Sequence, residues 1–174
     1  MPNMPFNTPP GQTIDREKLI CYLNTGTPSV PVWSPLGIRV EDSSTELDWE
    51  SETLRDILGS TYGTLKKPKI TQSFTPWPLD GGDAAQLRLW NLGIRDQDAQ
   101  AMAAQDLLVV HFYSGEAAAP FAERYPSSMV EITGLGGEGG GRIDMPVTVT
   151  FGGARSVGTA ACDAQTGAVS FQPE

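Results

Sequence analysis

Residues 107–113, LLVVHFY, are the most apolar strand-like stretch of the chain and predict a central β-strand. Valine and aromatic residues favour strands, and a short apolar run is typical of a strand buried on both faces. His111 interrupts the run and is the only histidine of the sequence. Catalytic histidines are most often poised by a carboxylate, so we expect this lone histidine in an apolar strand to be a packed residue instead.

Shorter β-prone segments, separated by glycine-bearing turns, lie on both sides of this stretch. Strands are predicted at residues 18–24, 30–38, 67–75, 128–133, 143–151, 155–162 and 168–171. Pro31 and Pro35 favour an edge position for the second of these, because proline donates no hydrogen bond to a neighbouring strand. In the third, Ile70, Gln72 and Phe74 are expected to share one face.

Two helices are predicted in the middle of the chain. Asp83 is a candidate N-cap, with Gln86 three residues later as its capping-box partner. Leu87 is expected on the buried face of this helix, and Gly93 is expected to end it. A second, alanine-rich helix is predicted over residues 96–105.

The pattern as a whole is mainly β, and it predicts one domain over residues 1–174. We expect a β-sandwich or barrel with one flanking α-helix, a long inter-strand loop and an extended N-terminal arm. Glycine and proline together make up 33 residues, which suits many short strands joined by turns. Residues 1–14 contain four prolines and predict the extended arm.

The longest connection between predicted strands is EDSSTELDWESETLRDILGSTYG at residues 41–63. From 41 to 56 it carries seven acids and one base, together with large apolar residues. Leu47 and Trp49 alternate as in a strand, whereas Leu54 and Ile57 have the spacing of a helical turn. A solvated linker is poor in such residues, so we expect another protein chain to cover this segment.

The charge and the apolar pattern of the chain argue against several functions and locations. A net charge of −9 argues against stable nucleic-acid binding, which needs clustered lysine and arginine. The N-terminus lacks the basic region and the apolar run of a signal peptide. No stretch is long and apolar enough to span a bilayer, so we expect synthesis in the cytosol and no membrane partner.

Two motif matches fail at the positions on which ligand binding depends. GLGGEG at 134–139 fits the dinucleotide-binding fingerprint, but a β-prone segment follows instead of a helix, and Glu138 would repel phosphate. DQDAQAMAAQDL at 96–107 begins like a calcium loop but has Ala101 in place of glycine and Leu107 in place of glutamate. The sequence therefore predicts no cofactor, no metal site and no enzymatic activity.

Four segments, in this order along the chain, are similar to those of a known family. They are YLNTGTPSVPVWSPLG (22–37), ILGSTYGTLKKPKITQSFTPWPL (57–79), GGDAAQLRLWNLG (81–93) and SSMVEITGLGGEGGGRIDMPVTVTFGGARSVGTAACDAQTGAVSFQP (127–173). Together they resemble the major tail protein, or tail tube protein, of long-tailed bacteriophages. The resemblance rests on the order of turns and aromatic residues along most of the chain, with no single diagnostic motif.

The resemblance implies a six- to eight-stranded sandwich or barrel whose copies form hexameric rings, stacked into a tube through which DNA is ejected. It implies a virion-tail location after synthesis in the host bacterial cytoplasm, with tape-measure and tail-terminator proteins as further partners. DNA would pass through without specific binding. In this family a long loop between early strands contacts a neighbouring subunit or ring, which makes residues 39–66 the expected assembly loop. The arm at 1–14 and the loop at 134–141 are further candidates for ring-to-ring contact.

Three groups of residues are therefore the expected contact sites. The apolar subunit-interface group is Leu47, Trp49, Leu54, Ile57, Leu58 and Tyr62. The charge-complementary group is Glu46, Asp48, Glu50, Glu52, Lys66, Lys67 and Lys69, and the ring-stacking group is Gly136, Gly137, Glu138 and Gly139. The acids could line the DNA channel and repel phosphate, or meet the lysines of a neighbour and set the stacking register. We favour the second use, because the apolar residues beside them need a covered site.

Two other interpretations stay open. One is the inner-tube subunit of a contractile tail or a related secretion apparatus, which would carry a sheath around the tube. The other is a monomeric enzyme or ligand-binding β-domain, which would stay monomeric at high concentration and gain thermal stability on binding its ligand.

Overall fold

The computed structural model describes residues 3–174, which form a mainly β protein. Its strands are β1 (Leu19–Asn24), β2 (Trp33–Pro35), β3 (Thr45–Asp48), β4 (Ser51–Arg55), β5 (Thr61–Leu65), β6 (Lys69–Phe74), β7 (Gln105–Glu116), β8 (Ala119–Ile132), β9 (Val147–Thr150), β10 (Ser156–Cys162) and β11 (Val169–Pro173). Its helices are α1 (Ala84–Trp90) and α2 (Ala99–Met102), with a 3-10 turn at Arg16–Lys18 and a π-helical turn at Asn91–Arg95.

The large antiparallel sheet folds into two layers, and the long strand β8 belongs to both. Its first half pairs with β7 and β10, giving the layer β2-β1-β7-β8-β10-β11. Its second half pairs with β9, giving the layer β8-β9-β6-β3. The predicted central strand at 107–113 is confirmed within β7, which lies between β1 and β8. Strand β2 is an edge strand, as its prolines predict.

The main core lies between these two layers. Leu23, Leu107 and Val109 face it from one layer, and Val147 and Val149 face it from the other. Trp77, which is fully buried, and Leu89 of α1 close the same core. The helix therefore flanks the sandwich, as expected from the sequence.

The alternate residues of β1 and β7 form a second apolar cluster on the opposite face of their layer. Tyr22, Leu108 and Val110 point to this side, because successive side chains in a strand alternate between faces. Val169 and Ala160 of the β10–β11 hairpin pack against them. Residues 107–110 are all apolar because both faces of β7 are covered there.

The predicted helices are correct in place but not in detail. Asp83 caps α1 by accepting hydrogen bonds from the backbone N–H groups of Ala85 and Gln86. The Gln86 side chain does not complete a capping box; it bonds the backbone of Asp80 and Pro78 instead. Leu87 is exposed, whereas Ala85, Gln86 and Leu89 are buried.

The helical path also continues past Gly93 as the π-helical turn, so this glycine does not end it. A Cβ at Gly93 would lie too close to Ile132, so the glycine allows this turn to approach β8. The second helix is only four residues long and is capped by Asp98 rather than Asp96.

Three further differences concern the strands. The segment before residue 128 is extended, so β8 is far longer than predicted. Eleven strands occur within residues 3–174, more than the six to eight implied, because the 41–63 segment contributes β3, β4 and most of β5. Residues 4–14 contain no helix or strand and form the extended arm, while residues 1 and 2 of that arm lie outside the described residues.

Candidate assembly surface

The acidic segment contains the predicted short strand, β3, but then forms a projecting β-hairpin instead of the predicted helical turn. Strand β3 pairs with β6 and belongs to the sandwich. Strands β4 and β5 pair only with each other, with Leu54 opposite Tyr62, and every residue of both strands is exposed. Isolated two-stranded hairpins are marginally stable in water, so this one is well suited to being covered by another surface.

The turn at the hairpin tip explains why the spacing of Leu54 and Ile57 predicted a helical turn wrongly. The Asp56 carboxylate accepts hydrogen bonds from the N–H groups of Leu58 and Ser60, both at 2.9 Å. Gly59 lies in the left-handed region at φ 86°, which glycine adopts without strain. This local hydrogen bonding fixes a tight turn between β4 and β5, and it competes with the helix that the apolar spacing favours.

The predicted subunit-interface residues are all exposed, as is Leu65 of β5, which was not predicted. Ile57 and Leu58 at the tip are fully exposed and 86% exposed, respectively. Leu54 and Tyr62 share one face of the hairpin and are also exposed. Leu47 and Trp49 stand at its root and are about half exposed. The structure therefore places four of the six on the projecting hairpin and the other two at its root.

The predicted charged residues partly pair within the chain itself. Lys66 lies 3.5 Å from Glu50 and 3.4 Å from Glu52 across the root of the hairpin. These side chains are more than half exposed, so such pairs are worth only about 0.2–1 kcal/mol each. Lys67 and Lys69 form no ion pair within residues 3–174, which leaves them to meet acids elsewhere.

The root of the hairpin is held to the sandwich by hydrogen bonds that the sequence did not reveal. The Arg16 guanidinium donates two bonds to the backbone oxygen of Ser43. The Ser43 hydroxyl donates to the backbone oxygen of Ser73 and accepts from the buried amide of Gln72. These contacts hold the segment that leads into β3 on the body of the protein.

A cleft lies beside this root, between β3 and the layer of β7 and β8. Its volume is about 430 Å³, and a second depression of about 760 Å³ adjoins it toward β10. The two share the side chains of Leu47, Ile70, Glu123, Tyr125 and Phe151. The cleft walls are therefore largely apolar, with a polar group on the floor.

That polar group is a linked cluster of His111, Glu123 and Arg155. His111 lies 3.0 Å from the Glu123 carboxylate through Nε2 and 2.8 Å from the Tyr113 hydroxyl through Nδ1. Arg155 donates to the other oxygen of Glu123. Burial acts to raise the pKa of Glu123, but the hydrogen bonds from His111 and Arg155 outweigh it and lower that pKa below its usual value.

This arrangement refines the expectation for His111. The side chain is mostly buried, as expected, but it has a carboxylate partner that sequence spacing could not show. Glu123 comes from the part of β8 that was not predicted as a strand, where it sits opposite Val109. Both ring nitrogens of His111 are engaged, Nε2 by the Glu123 carboxylate and Nδ1 by the Tyr113 hydroxyl.

The other two predicted contact elements have different surroundings. The arm lies on its own chain, where Gly115 donates to Pro5 and Asn7 donates to Tyr113, both through the backbone at 2.9 Å. The ring-stacking group is exposed, and Gly136 bridges to Asp144 at the base of its loop. A Cβ at Gly137 would collide with the backbone oxygen of Arg142, so the loop geometry requires glycine there.

The sequence contains two cysteines, Cys21 and Cys162. Cys21 is buried in the core, and burial raises its pKa to about 12. Cys162 is the last residue of β10 and is exposed. Among residues 3–174, no helix is long and apolar enough to cross a membrane.

Comparisons with known proteins identify the fold but no family. No protein-family model matches the chain, and no curated protein matches its sequence. A chain of the sheath–tube complex of the extracellular contractile injection system PVC, in the extended state, matches with a TM-score of 0.51 at 9% identity, over 85% of this chain and 93% of that chain. A chain of the sheath/tube terminator of the same kind of system matches with a TM-score of 0.51 at 10% identity, over 86% and 99% of the two chains. The mainly β, helix-flanked sandwich is therefore a fold that also occurs in chains of contractile injection systems.

Proposed function

We propose that this protein is a structural subunit that self-assembles into the tube of a phage-type tail. The observation that carries the proposal is the β4–β5 hairpin, which projects fully exposed apolar residues from an otherwise well-packed sandwich. Exposed apolar surface of this kind marks a protein contact. The similarity in fold to chains of contractile injection systems supports the same role.

Free strand edges supply a second reason for self-association. Strand β3 and strand β11 each have only one hydrogen-bonded neighbour in the sheet. An edge strand presents unpaired backbone groups that readily pair with another chain. Joining such edges between copies in a closed ring satisfies them, and stacking rings along an axis generates a tube. We take the ring to contain six copies, as the resemblance to tail tube proteins implies.

Within the tube, the hairpin at the centre of residues 39–66 contacts a neighbouring subunit or ring. Leu47, Trp49, Leu54, Ile57, Leu58 and Tyr62 supply its apolar contacts. The acids of this segment meet the lysines of a neighbour and set the stacking register. The exposed Gly136–Gly139 loop and the N-terminal arm add ring-to-ring contacts. Tail-terminator and tape-measure proteins are the further partners, and DNA passes through the tube without specific binding.

Electron microscopy of the purified protein tests this function directly. We expect tubes of uniform diameter whose ring mass corresponds to six copies. The double variant Trp49→Ser, Leu58→Ser should remain a folded monomer, while Leu87→Ser on α1 should assemble normally. A protein that stays monomeric at high concentration, with a melting temperature that rises on adding a small ligand, would contradict the proposal and favour a binding domain.

A second candidate is the inner tube of a contractile apparatus, and the two matched structures favour it because both come from sheathed systems. Micrographs of assembled particles separate the two candidates. A flexible naked tube supports the long-tailed phage assignment, and a sheath around the tube supports the contractile one.

A further inference from the structure

The N-terminal arm continues the row that strand β1 occupies in the sheet. Strand β1 pairs antiparallel with β7 and begins opposite His111. Past this point the arm covers the same edge of β7, and Phe6 lies opposite Ser114 in an antiparallel bridge. The other edge of β7 is paired with β8 there. The arm therefore runs in the direction of β1, as a detached extension of that strand.

Few contacts hold the arm on its own chain. The backbone N–H of Gly115 donates to Pro5 and that of Asn7 donates to Tyr113, both at 2.9 Å. The Asn7 side chain donates a further bond to the β7 backbone at 2.8 Å. Phe6 meets the Tyr113 ring edge-on, with ring centroids 5.6 Å apart, yet stays 64% exposed. Each hydrogen bond adds little net stability, so the arm is held weakly at this site.

The connector between the arm and β1 is much longer than the gap that it spans. On β7 the two pairings end at Tyr113 and His111, which are roughly 7 Å apart at about 3.3 Å per residue. The eight residues 8–15, which precede the 3-10 turn, reach about 26 Å when extended. The connector therefore carries slack that docking on its own chain does not use.

A single turn takes up this slack. Gln12 donates to the backbone oxygen of Pro9 at 3.2 Å, and Gly11 has the positive φ of 85° that the third position of a type II turn requires. Among residues 3–174, this is the only backbone hydrogen bond made by residues 8–14. Opening one turn therefore frees enough chain for the arm to reach another molecule.

The docked arm also leaves its apolar side chains uncovered. Met4, Phe6 and Ile14 are each more than a third exposed. Burial of apolar area favours association as it favours folding. An arm that bridges two molecules lies between them, where these side chains gain the cover that their own chain does not supply.

We propose that the arm is exchanged between copies of this chain, so that in the assembled protein residues 5–7 pair with residues 113–115 of β7 in a neighbouring copy. The inference rests on the proposed function and names the site at which the arm makes its contact. An exchanged arm keeps every contact that it has on its own chain, so the exchange costs little. In a tube the neighbouring β7 is held close, which favours pairing between molecules.

Mixing two single-cysteine variants tests the exchange. In a Cys162→Ser background, one chain carries Phe6→Cys and a size tag, and the other carries Ser114→Cys. Phe6 and Ser114 form a non-hydrogen-bonded antiparallel pair, whose Cα atoms lie about 4.5 Å apart, within the range of a disulfide. No chain has both introduced cysteines, so a bond between tagged and untagged chains reports exchange. We expect this mixed dimer in oxidised tubes, and none when Leu87→Cys replaces Ser114→Cys.

Shortening the connector gives a second readout that needs no cysteine. Deleting residues 9–12 leaves four residues before the 3-10 turn, which reach about 13 Å and still span the gap of roughly 7 Å on the same chain. The melting temperature of the monomer should not change, whereas the concentration needed for tube formation should rise by about tenfold or more. A control of unchanged length, with Pro9→Gly, Pro10→Ser and Gln12→Ser, should assemble like the parent protein.

The outcomes separate the exchange from the tube function. Tubes without the mixed dimer, or tubes of the deletion variant at the concentration of the parent, would overturn the exchange and leave the tube function standing. If Phe6→Cys itself prevents assembly, the deletion variant and its control decide. If the parent protein forms no tubes at any concentration, both proposals fall.

Discussion

The sandwich body and the β4–β5 hairpin use similar apolar residues in opposite ways. In the body, Leu107 and Trp77 are fully buried between the layers and the helix. In the hairpin, Leu54 of β4 and Leu58 of the tip are exposed, although β4 and β5 pair as regularly as the strands of the body. Burial of apolar area is the main stabilising contribution to folding and to association alike. The body therefore contains its own stabilising contacts, whereas the apolar residues of the hairpin have few within the chain.

The largest difference between the two regions should appear when a large side chain is truncated in each. Trp77→Ala leaves a cavity in the core and should lower the free energy of unfolding by about 3–5 kcal/mol. Leu58→Ala removes an exposed side chain and should leave that free energy nearly unchanged while impairing assembly. Chemical denaturation of the monomer and electron microscopy measure the two effects. Equal destabilisation of the monomer by both variants would show that the hairpin is part of the folding core.

The same comparison explains how far the sequence could be interpreted. The body was predictable because LLVVHFY, the Asp83 cap and the proline-marked edge strand each have local signals that agree with their packing. The hairpin was misassigned at its tip because a single carboxylate, that of Asp56, fixes the turn through hydrogen bonds. Spacing alone could not reveal this, since Leu54, Ile57 and Leu58 fit a helix equally well.

The cleft could not be predicted for a different reason. Its polar floor joins His111 of β7 to Glu123 of β8 and Arg155 before β10, residues that only strand pairing brings together. Its mouth depends on Arg16, whose guanidinium donates a hydrogen bond to the backbone oxygen of Ser43 at the start of the 41–63 segment. Such contacts depend on register and on side-chain reach, which a single sequence does not show.

The second prediction concerns the polar floor, which belongs to the body. Glu123→Gln removes the charge that Arg155 and His111 bind and should cost about 1–3 kcal/mol of monomer stability. The folded-state pKa of Glu123 lies below its ordinary value of 4.5, so its contribution is present above that pH and is lost as pH falls through the lowered pKa. Melting curves between neutral and acidic pH should therefore converge for variant and parent. Parallel curves at all pH values would show that the charge is not the cause.

The third prediction concerns the helix that flanks the body. Asp83→Ala removes two hydrogen bonds at the start of α1 and should cost about 1 kcal/mol. Asp83→Asn keeps the acceptor and should match or exceed the parent at neutral pH. Burial raises the pKa of Asp83, so its charged form is disfavoured in the folded state. Thermal unfolding of Asp83→Ala and Asp83→Asn separates the contribution of the hydrogen bonds from that of the charge. Equal losses of stability in the two variants would show that the hydrogen bonds are not the cause.

The smallest expected effect separates the two lysines at the hairpin root. Lys66 pairs with Glu50 and Glu52 of its own chain, whereas Lys67 lines the depression beside the cleft and pairs with neither acid. Neither Lys66→Ala nor Lys67→Ala should change the melting temperature measurably, because both side chains are exposed.

In assembly the two lysines should differ. If acids of a neighbouring copy meet Lys67, Lys67→Ala should raise the concentration needed for tube formation by about two- to fivefold, the equivalent of one exposed ion pair. Lys66→Ala should leave that concentration unchanged, because Lys66 already forms ion pairs with Glu50 and Glu52 of its own chain. Light scattering at increasing protein concentration measures both, and added salt should reduce the difference, since it screens exposed charges. A larger effect from Lys66 than from Lys67 would place the acidic contact on the hairpin itself rather than at the cleft.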